Sequence, residues 1–254
     1  MKIVVAVKQV PERDAAIRVG ADGRWIEEED LSYTINEPDA YALEEALQLK
    51  EKHGGEVVVV GAGPERVTST LREALAKGAD RAIHVEAVDL GERDTLGVAQ
   101  VLADAIAAEA PDLVLTGLQS DDLGLGQTGV VMAELLGLPH ATIIMQVEVT
   151  ASGLRVKQEL EDGWFQHVEM PLPALLTMQS GGNKLRYATL MGIKKAKAKE
   201  LKTETAAAAA ASPSARLERV YLPQRQKHTE MLTGSPAEVA AKLVQILKND
   251  VRVL

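Results

Sequence analysis

The stretch that most constrains the fold lies near the middle of the chain, where an apolar run, a glycine-rich loop and a second apolar run follow one another. Residues 112–137 read DLVLTGLQSDDLGLGQTGVVMAELLG. Leu113–Thr116 predicts a buried strand that Gly117 ends, and Val130–Leu136 predicts a buried helix that Gln127–Gly129 opens. A helix N-terminus presents free N–H groups, and glycines let the backbone approach a ligand closely. The stretch therefore predicts the phosphate end of a nucleotide site, with an ordinary turn between a strand and a helix as the alternative.

The same alternation of strands and helices extends over the first half of the chain. Further buried strands are predicted at Ile3–Val7, Glu56–Val60 and Arg81–Val85, and helices at about 36–52, 65–77 and 94–109. Asn36 or Asp39 can cap the first of these helices, and Ala16–Glu28 predicts a hairpin around Asp22 and Gly23. Strands that alternate with helices of this length form a parallel sheet with helices on both faces, so we expect an α/β fold.

The pattern changes after Pro139. Strands joined by short glycine turns predict a β-meander at 141–149, 154–160 and 164–168, and Ala174–Met178 predicts one more buried strand. We place the nucleotide-binding α/β domain at residues 1–192.

Residues 193–254 are predicted to form a C-terminal arm. Ile193–Leu201 predicts a lysine-rich helix, and Ala237–Lys248 predicts an amphipathic helix. Between them, Thr203–Ser214 contains six consecutive alanines and is either helix or linker. Because such an arm has little core of its own, we expect it to pack on a partner subunit.

Composition narrows the function classes. The 254 residues include no cysteine, which excludes disulfides, thiolate metal sites and a cysteine nucleophile. No apolar stretch reaches the roughly 20 residues that span a bilayer, and the start, MKIVVAVK, lacks a signal-peptide pattern, so we expect a cytoplasmic protein. The net charge is −9, which argues against general nucleic-acid binding.

No set of residues for acid–base or covalent catalysis stands out. Gly61–Gly63 resembles the start of a dinucleotide-binding motif, but Arg66 stands where the third glycine belongs. Asp121 and Asp122 either bind Mg²⁺ or ribose hydroxyls or are a solvated pair, and no third oxygen ligand lies nearby in the sequence. We therefore expect no metal site, and a chain that binds and positions rather than catalyses.

A basic segment between the last core strand and the lysine-rich helix carries unexpected apolar residues. Residues 183–191 read NKLRYATLM and place Tyr187, Leu190 and Met191 among charged neighbours. Exposed apolar residues ringed by charge indicate a docking surface for another protein. The alternative is that Leu190 is buried in the core under the loop.

Five segments together resemble the β subunit family of electron transfer flavoproteins, and the resemblance runs from Ile3 to about Leu201. The segments are NEPDAYALEEAL, GADRAIHV, GLQSDDLGLGQTG, VKQELEDGWFQHVEMPLPALLT and RYATLMGIKKAKAKEL. The resemblance implies a Rossmann-like fold of the adenine-nucleotide-binding type. It also implies one half of an αβ heterodimer in which the α subunit holds most of the FAD and the β subunit binds a structural AMP.

The resemblance further implies electron transport in fatty acid oxidation, from acyl-CoA and related dehydrogenases to a membrane quinone oxidoreductase. Leu190 would anchor the docking of the dehydrogenase, together with its neighbours Tyr187 and Met191, and Glu159 would lie near the flavin of the α subunit. The implied AMP contacts are Ala6, Asn36, Glu37, Pro38, Asp39, Ala62, Leu118, Gln119, Ser120, Asp121, Asp122, Leu123, Gly124, Leu125, Gly126, Gln127, Thr128 and Gly129.

The chain also departs from the family. Leu123–Gly126 stands where many members have acidic residues, a small residue and asparagine, so backbone rather than side-chain contacts are expected there. A bifurcating branch of the family binds a second FAD in place of AMP, and Gln127–Gly129 fits the AMP branch better. A stand-alone nucleotide-binding module of the stress-protein type is the remaining alternative.

Overall fold

The structure is a computed structural model that describes residues 1–87, 89–207, 213–223 and 229–253. These residues form two compact units, Met1–Val220 and Tyr221–Leu254. The first unit therefore extends past residue 192, where the sequence analysis ends the domain. Residues 208–211, which make up most of the alanine run, lie outside the described residues, so the choice between helix and linker there stays open.

The first unit is a mixed α/β structure. Its strands are β1 Lys2–Ala6, β2 Gln9–Pro11, β3 Tyr33–Ile35, β4 Glu56–Gly63, β5 Arg81–Glu86, β6 Leu113–Gly117, β7 His140–Thr150, β8 Gly153–Glu159, β9 Phe165–Met170, β10 Ala174–Met178 and β11 Leu201–Thr205. Its α-helices are α1 Glu37–His53, α2 Val67–Lys77, α3 Thr95–Ala107, α4 Thr128–Leu136 and α5 Leu190–Ala196. Short 3₁₀ turns lie at Leu90–Glu92 and Glu161–Gly163.

Within the described ranges, nine strands form one sheet in the order β11-β5-β4-β1-β6-β10-β7-β8-β9, and β2 pairs with β3 separately. Pairing is parallel from β11 to β7, and β8 and β9 continue the sheet as antiparallel neighbours. After β5 the chain passes to β6 on the other side of β1, so the strand order reverses between β1 and β6. This α/β architecture and its β-meander confirm the predicted fold class.

Helices cover both faces of the parallel part of the sheet. Ile3 and Val5 of β1 pack in the same cluster as residues of α1, α2 and α5, whereas Val4 and Ala6 pack with α3 and α4. Because a strand alternates its side chains between the two faces, a strand covered on both sides must be apolar throughout. The run Val57–Val60 meets this requirement, since all four valines are completely buried.

One local prediction is wrong, and another is confirmed in a shorter form. The predicted lysine-rich helix 193–201 instead begins at Leu190, ends at Ala196, and is followed by the edge strand β11. The chain turns there because Thr189 caps α5 by accepting a hydrogen bond from the Gly192 N–H, and the backbone of β11 then pairs with β5. The predicted hairpin 16–28 is reduced to a single bridge between Val19 and Ile26.

The second unit contains helix α6, Pro236–Ile246, followed by a π-helical turn, Leu247–Val251. Ser235 and Glu238 form a complete capping box at its start. Leu243 and Val244 are 46% and 44% exposed, and no described residue of this helix is buried. The amphipathic helix is confirmed, and Leu243 and Val244 of its apolar stripe stay exposed among the described residues of its own unit.

Candidate nucleotide site and docking surface

The predicted nucleotide residues meet where the strand order of the sheet reverses. The carboxyl ends of β1 and β6 lie side by side there, and the N-termini of α1 and α4 follow close behind. In open α/β sheets, ligands bind in the crevice outside the carboxyl ends of the strands at such a reversal. The topology therefore brings together Ala6, the segment 36–39 and the loop 118–129, which are far apart in the sequence, with Ala62 on the neighbouring strand β4.

Asp39 ties the two central strands together at this crevice. Its carboxylate accepts a hydrogen bond from the Lys8 N–H at 2.7 Å and another from the Gly117 N–H at 2.9 Å. Burial raises the pKa of Asp39 to about 7, although both hydrogen bonds oppose this rise. Asp39 is thus a buried brace and not the helix cap that the sequence suggests, because its side chain is used by the strand ends.

Asn36 fixes the loop that follows β6. Its Nδ2 donates to the Gln119 carbonyl and its Oδ1 accepts from the Asp121 N–H, both at 2.9 Å. The side chain is fully buried and makes no capping bond to α1, although Asn36 occupies the N-cap position of that helix. The predicted capping role is therefore wrong, and the physical reason is that the amide pairs with the loop on both of its polar atoms.

Lys8 supplies the positive charge that the loop itself lacks. It lies two residues after the end of β1, and its Nζ donates to Asp122 Oδ1 at 2.6 Å and to Ser120 Oγ at 3.4 Å. Burial raises the pKa of the Asp122 carboxyl, but its bonds to Lys8 and Ser120 outweigh that effect and keep the pKa below its ordinary value. The sequence analysis missed Lys8, although its place at the carboxyl end of a central strand was the available signal.

The N-terminus of α4 follows the loop after β6 and lacks a cap from its N-cap side chain. Gln127 occupies its N-cap position without a side-chain capping bond, so the first backbone N–H groups have no protein acceptor from that side chain. Gly129 lets the helix begin directly against the sheet, because a Cβ there would lie 2.6 Å from Thr177 Cγ2 and 2.7 Å from Thr116 Oγ1. The arrangement is suited to an anionic group held by backbone amides.

Leu123 and Leu125 belong to the loop at the crevice, whereas Glu159 lies in the antiparallel part of the sheet. Leu123 and Leu125 have exposed side chains in the loop, and Glu159 lies at the end of β8, where its carboxylate accepts a hydrogen bond from Gln179 at 3.4 Å. Over the part of the chain that the structure describes, no three carboxylate or imidazole side chains are grouped as a metal ion requires. Within those same ranges, no helix has the length and apolar character needed to cross a bilayer.

The basic segment 183–191 projects its apolar residues into solvent. Tyr187 is 92% exposed, Leu190 is 88% exposed and Met191 is 62% exposed. The alternative in which Leu190 is buried in the core is therefore wrong. Exposed apolar side chains in a row are what a protein-binding surface presents.

Comparison with known proteins identifies the family. A family model for the electron transfer flavoprotein domain matches residues 24–209. The chain belongs to the electron transfer flavoprotein family. It is 39% identical to the electron transfer flavoprotein subunit beta of Methylophilus methylotrophus, over 97% of this chain and 98% of that protein. The human protein of the same name is 40% identical over 79% of this chain and 80% of its own length, and that of Bradyrhizobium diazoefficiens is 39% identical over the full length of both.

Membership of this family confirms the resemblance seen in the sequence and makes the chain an electron transfer flavoprotein subunit. The crevice and the exposed segment 183–191 are therefore two surfaces of an electron transfer flavoprotein subunit. The crevice offers backbone donors and a brace of buried polar groups, and the exposed segment offers apolar side chains.

Proposed function

We propose that the chain is the β subunit of a heterodimeric electron transfer flavoprotein, binds a structural AMP, and works in the cytoplasm. An α subunit holds most of the FAD, which accepts electrons from acyl-CoA and related dehydrogenases. A quinone oxidoreductase then takes the electrons, as in fatty acid oxidation. The flavin supplies the redox chemistry, and this chain's residues bind, orient and shield. The observation that carries the proposal is the N-terminus of α4, without a side-chain cap, at the strand reversal, on a chain of this family.

The nucleotide part of the proposal rests on how the crevice is built. Asn36, Asp39 and Lys8 use their polar atoms to hold strand ends and loop in place, which leaves the backbone N–H groups of residues 128–130 for a phosphate. Asp121 and Asp122 surround the site with negative charge, and Lys8 is paired with Asp122. A ligand with one phosphate suits this balance better than one with a triphosphate.

The partner part of the proposal rests on uncovered apolar surface. Beside Glu159, the side chains of Trp164 and Phe165 are 73% and 43% exposed at the free edge of the sheet. Exposed edge strands and aromatic side chains favour contact with another chain. We propose that the α subunit covers this edge and the stripe of α6, that the arm packs on it, and that Glu159 lies near its flavin.

The docking part of the proposal assigns Leu190 as the residue that enters a pocket of the dehydrogenase, with Tyr187 and Met191 beside it. Leu190→Ala in the complex should lower the rate of flavin reduction by a dehydrogenase while leaving the FAD content unchanged. Loss of FAD from this variant, or an unchanged rate, would contradict the docking role.

Co-purification followed by nucleotide analysis tests partner and ligand together. The tagged chain is expressed with an α subunit, the complex is denatured, and the released nucleotides are separated and quantified. One FAD and one AMP per heterodimer is the expected result. Two FADs without AMP would place the protein in the bifurcating branch, and a lone chain that binds ATP would indicate a stand-alone module.

A further inference from the structure

The docking segment, residues 187–196, begins directly after Arg186, and this arginine binds two carboxylates of helix α1. Arg186 immediately precedes Tyr187, and its guanidinium lies between two carboxylates of helix α1. It donates to Glu44 from Nε at 2.8 Å and from Nη2 at 3.0 Å. It donates to Glu51 from Nη1 at 2.6 Å and from Nη2 at 3.2 Å.

All three guanidinium nitrogens of Arg186 donate in these bonds. The Arg186 backbone N–H also donates to Glu44, at 3.2 Å, so the main chain itself is fixed at this point. Burial raises the pKa of the Glu44 carboxyl, but the hydrogen bonds from Arg186 outweigh it and keep that pKa below its ordinary value. A planar guanidinium that pairs with two carboxylates fixes orientation as well as position, which a lysine cannot do.

The far end of the docking segment is fixed to helix α2. Arg72 of α2 donates to the carbonyls of Ala196 and Lys199, at the end of α5, both at 2.8 Å. In return, Lys199 donates to the carbonyls of Leu75 and Ala79 at the end of α2. Arg72 of α2 thus binds carbonyls at and beyond the end of α5, and Lys199, which follows α5, binds carbonyls around the end of α2.

We propose that Arg186 is a positioning residue that holds the docking segment in one conformation before a dehydrogenase arrives. This inference rests on the proposed docking function of Leu190. No residue in the described part of the chain buries Tyr187, Leu190 or Met191, so burial within these residues does not order them, and the order must come from the two ends of the segment. Fixing the segment in advance removes the loss of conformational freedom that docking would otherwise incur.

The size of the effect follows from population. Apparent affinity falls in proportion to the fraction of molecules in the binding-competent conformation. If loss of Arg186 leaves about one molecule in ten with the segment in place, docking weakens about tenfold. Once docked, the flavin distance is unchanged, so the effect belongs in KM and not in kcat.

The test compares Arg186→Gln with a matched control in the complex with the flavin-bearing subunit. Arg18 is the control because it likewise bridges two carboxylates, Glu27 and Asp30, in the segment between β2 and β3. Flavin reduction is measured with a purified acyl-CoA dehydrogenase that reduces the wild-type complex, and hydrogen exchange is followed at amides 187–192. Arg186→Gln should raise KM about tenfold with kcat within about twofold, and should speed exchange. Arg18→Gln should change neither.

Glu51→Gln separates positioning from attraction to an acidic partner. This variant removes half of the Arg186 anchor but makes the surface more positive, whereas Arg186→Gln makes it less positive. Positioning predicts a higher KM in both variants, whereas charge attraction predicts opposite changes. Because Glu51 is largely exposed, this variant also serves if Arg186→Gln does not fold. Opposite changes in KM, or rescue by Arg186→Lys, would overturn the proposal.

The cycle with Leu190→Ala distinguishes failure of this inference from failure of the docking function. In the Leu190→Ala background, removal of Arg186 should raise KM by about the same factor as in the wild type, because the competent fraction scales the apparent affinity whatever the intrinsic affinity is. If Leu190→Ala alone has no effect, the docking function fails. If Leu190→Ala raises KM but Arg186→Gln does not, docking stands and the positioning role is overturned.

Discussion

Gly129→Ala tests the close packing that lets helix α4 begin against the sheet. The new Cβ would lie 2.6 Å from Thr177 Cγ2 and 2.7 Å from Thr116 Oγ1, whereas ordinary contacts begin near 3.4 Å. The helix must therefore move outward by a substantial part of an ångström. Overpacking of this kind costs about 1–3 kcal/mol, and the better helix propensity of alanine returns up to about 1 kcal/mol. We expect a net loss of about 1–2 kcal/mol in the free energy of unfolding.

The same movement displaces the backbone N–H groups that we assign to the phosphate, so AMP content should fall together with stability. Urea unfolding of the purified complex gives the first quantity, and chromatography of the denatured complex gives the second. Gly91→Ala is the control, because its Cβ would meet no atom within 4 Å. Adding Thr177→Ser removes the closest methyl but keeps the hydroxyl that accepts from the Ile143 N–H, so part of both losses should return. Wild-type stability with full AMP content in Gly129→Ala would refute the reasoning.

Two further predictions concern charges at the crevice. Burial gives Asp39 a pKa of about 7 in the folded chain, against 3.8 as its ordinary value, so between these values the folded state holds a proton that the unfolded state has lost. The free energy of unfolding of the wild type should therefore fall relative to that of Asp39→Asn as the pH rises through that window, by up to about 1.4 kcal/mol per pH unit. Parallel profiles of the free energy of unfolding against pH would contradict this. Lys8→Met should raise the pKa of Asp122 and speed hydrogen exchange at amides 121–124, because the loop loses its cation; unchanged exchange would count against that role of Lys8.

The order of elements could be predicted because burial leaves a periodic pattern in the sequence. Val57–Val60 is apolar at every position, and only a strand covered on both faces requires this. The helix and strand after Thr189 could not be predicted in the same way. Ala196 is buried against α2, but the residues around it are exposed lysines. β11 is an edge strand that joins the sheet through backbone hydrogen bonds to β5. Such pairing leaves little trace in side-chain pattern.

The sequence predicts a location for the candidate site but not the contacts within it. Glycines, the strand end and the helix start all mark the loop after β6. The roles of Asn36, Asp39 and Lys8 depend on which strands lie side by side, and that follows from the reversal of strand order between β1 and β6. For the same reason, Asn36 and Asp39 resemble capping residues locally, whereas the fold uses them across the crevice.

The contacts also show how the loop is held with no side-chain bond from residues 123–126. The side chains that hold it come from outside the loop: Asn36 binds the backbone at Gln119 and Asp121, and Lys8 binds Ser120 and Asp122. Residues 123–126 contribute no side chain to these bonds, and Leu123 and Leu125 are exposed. Because a phosphate would be bound by main-chain N–H groups at the start of α4, substitutions at 123–126 should change the surface of the loop more than the affinity of the site for a ligand. The segment 36–39 and the loop therefore act as one unit, and a change at Asn36 should matter more for nucleotide binding than any single side-chain change at 123–126.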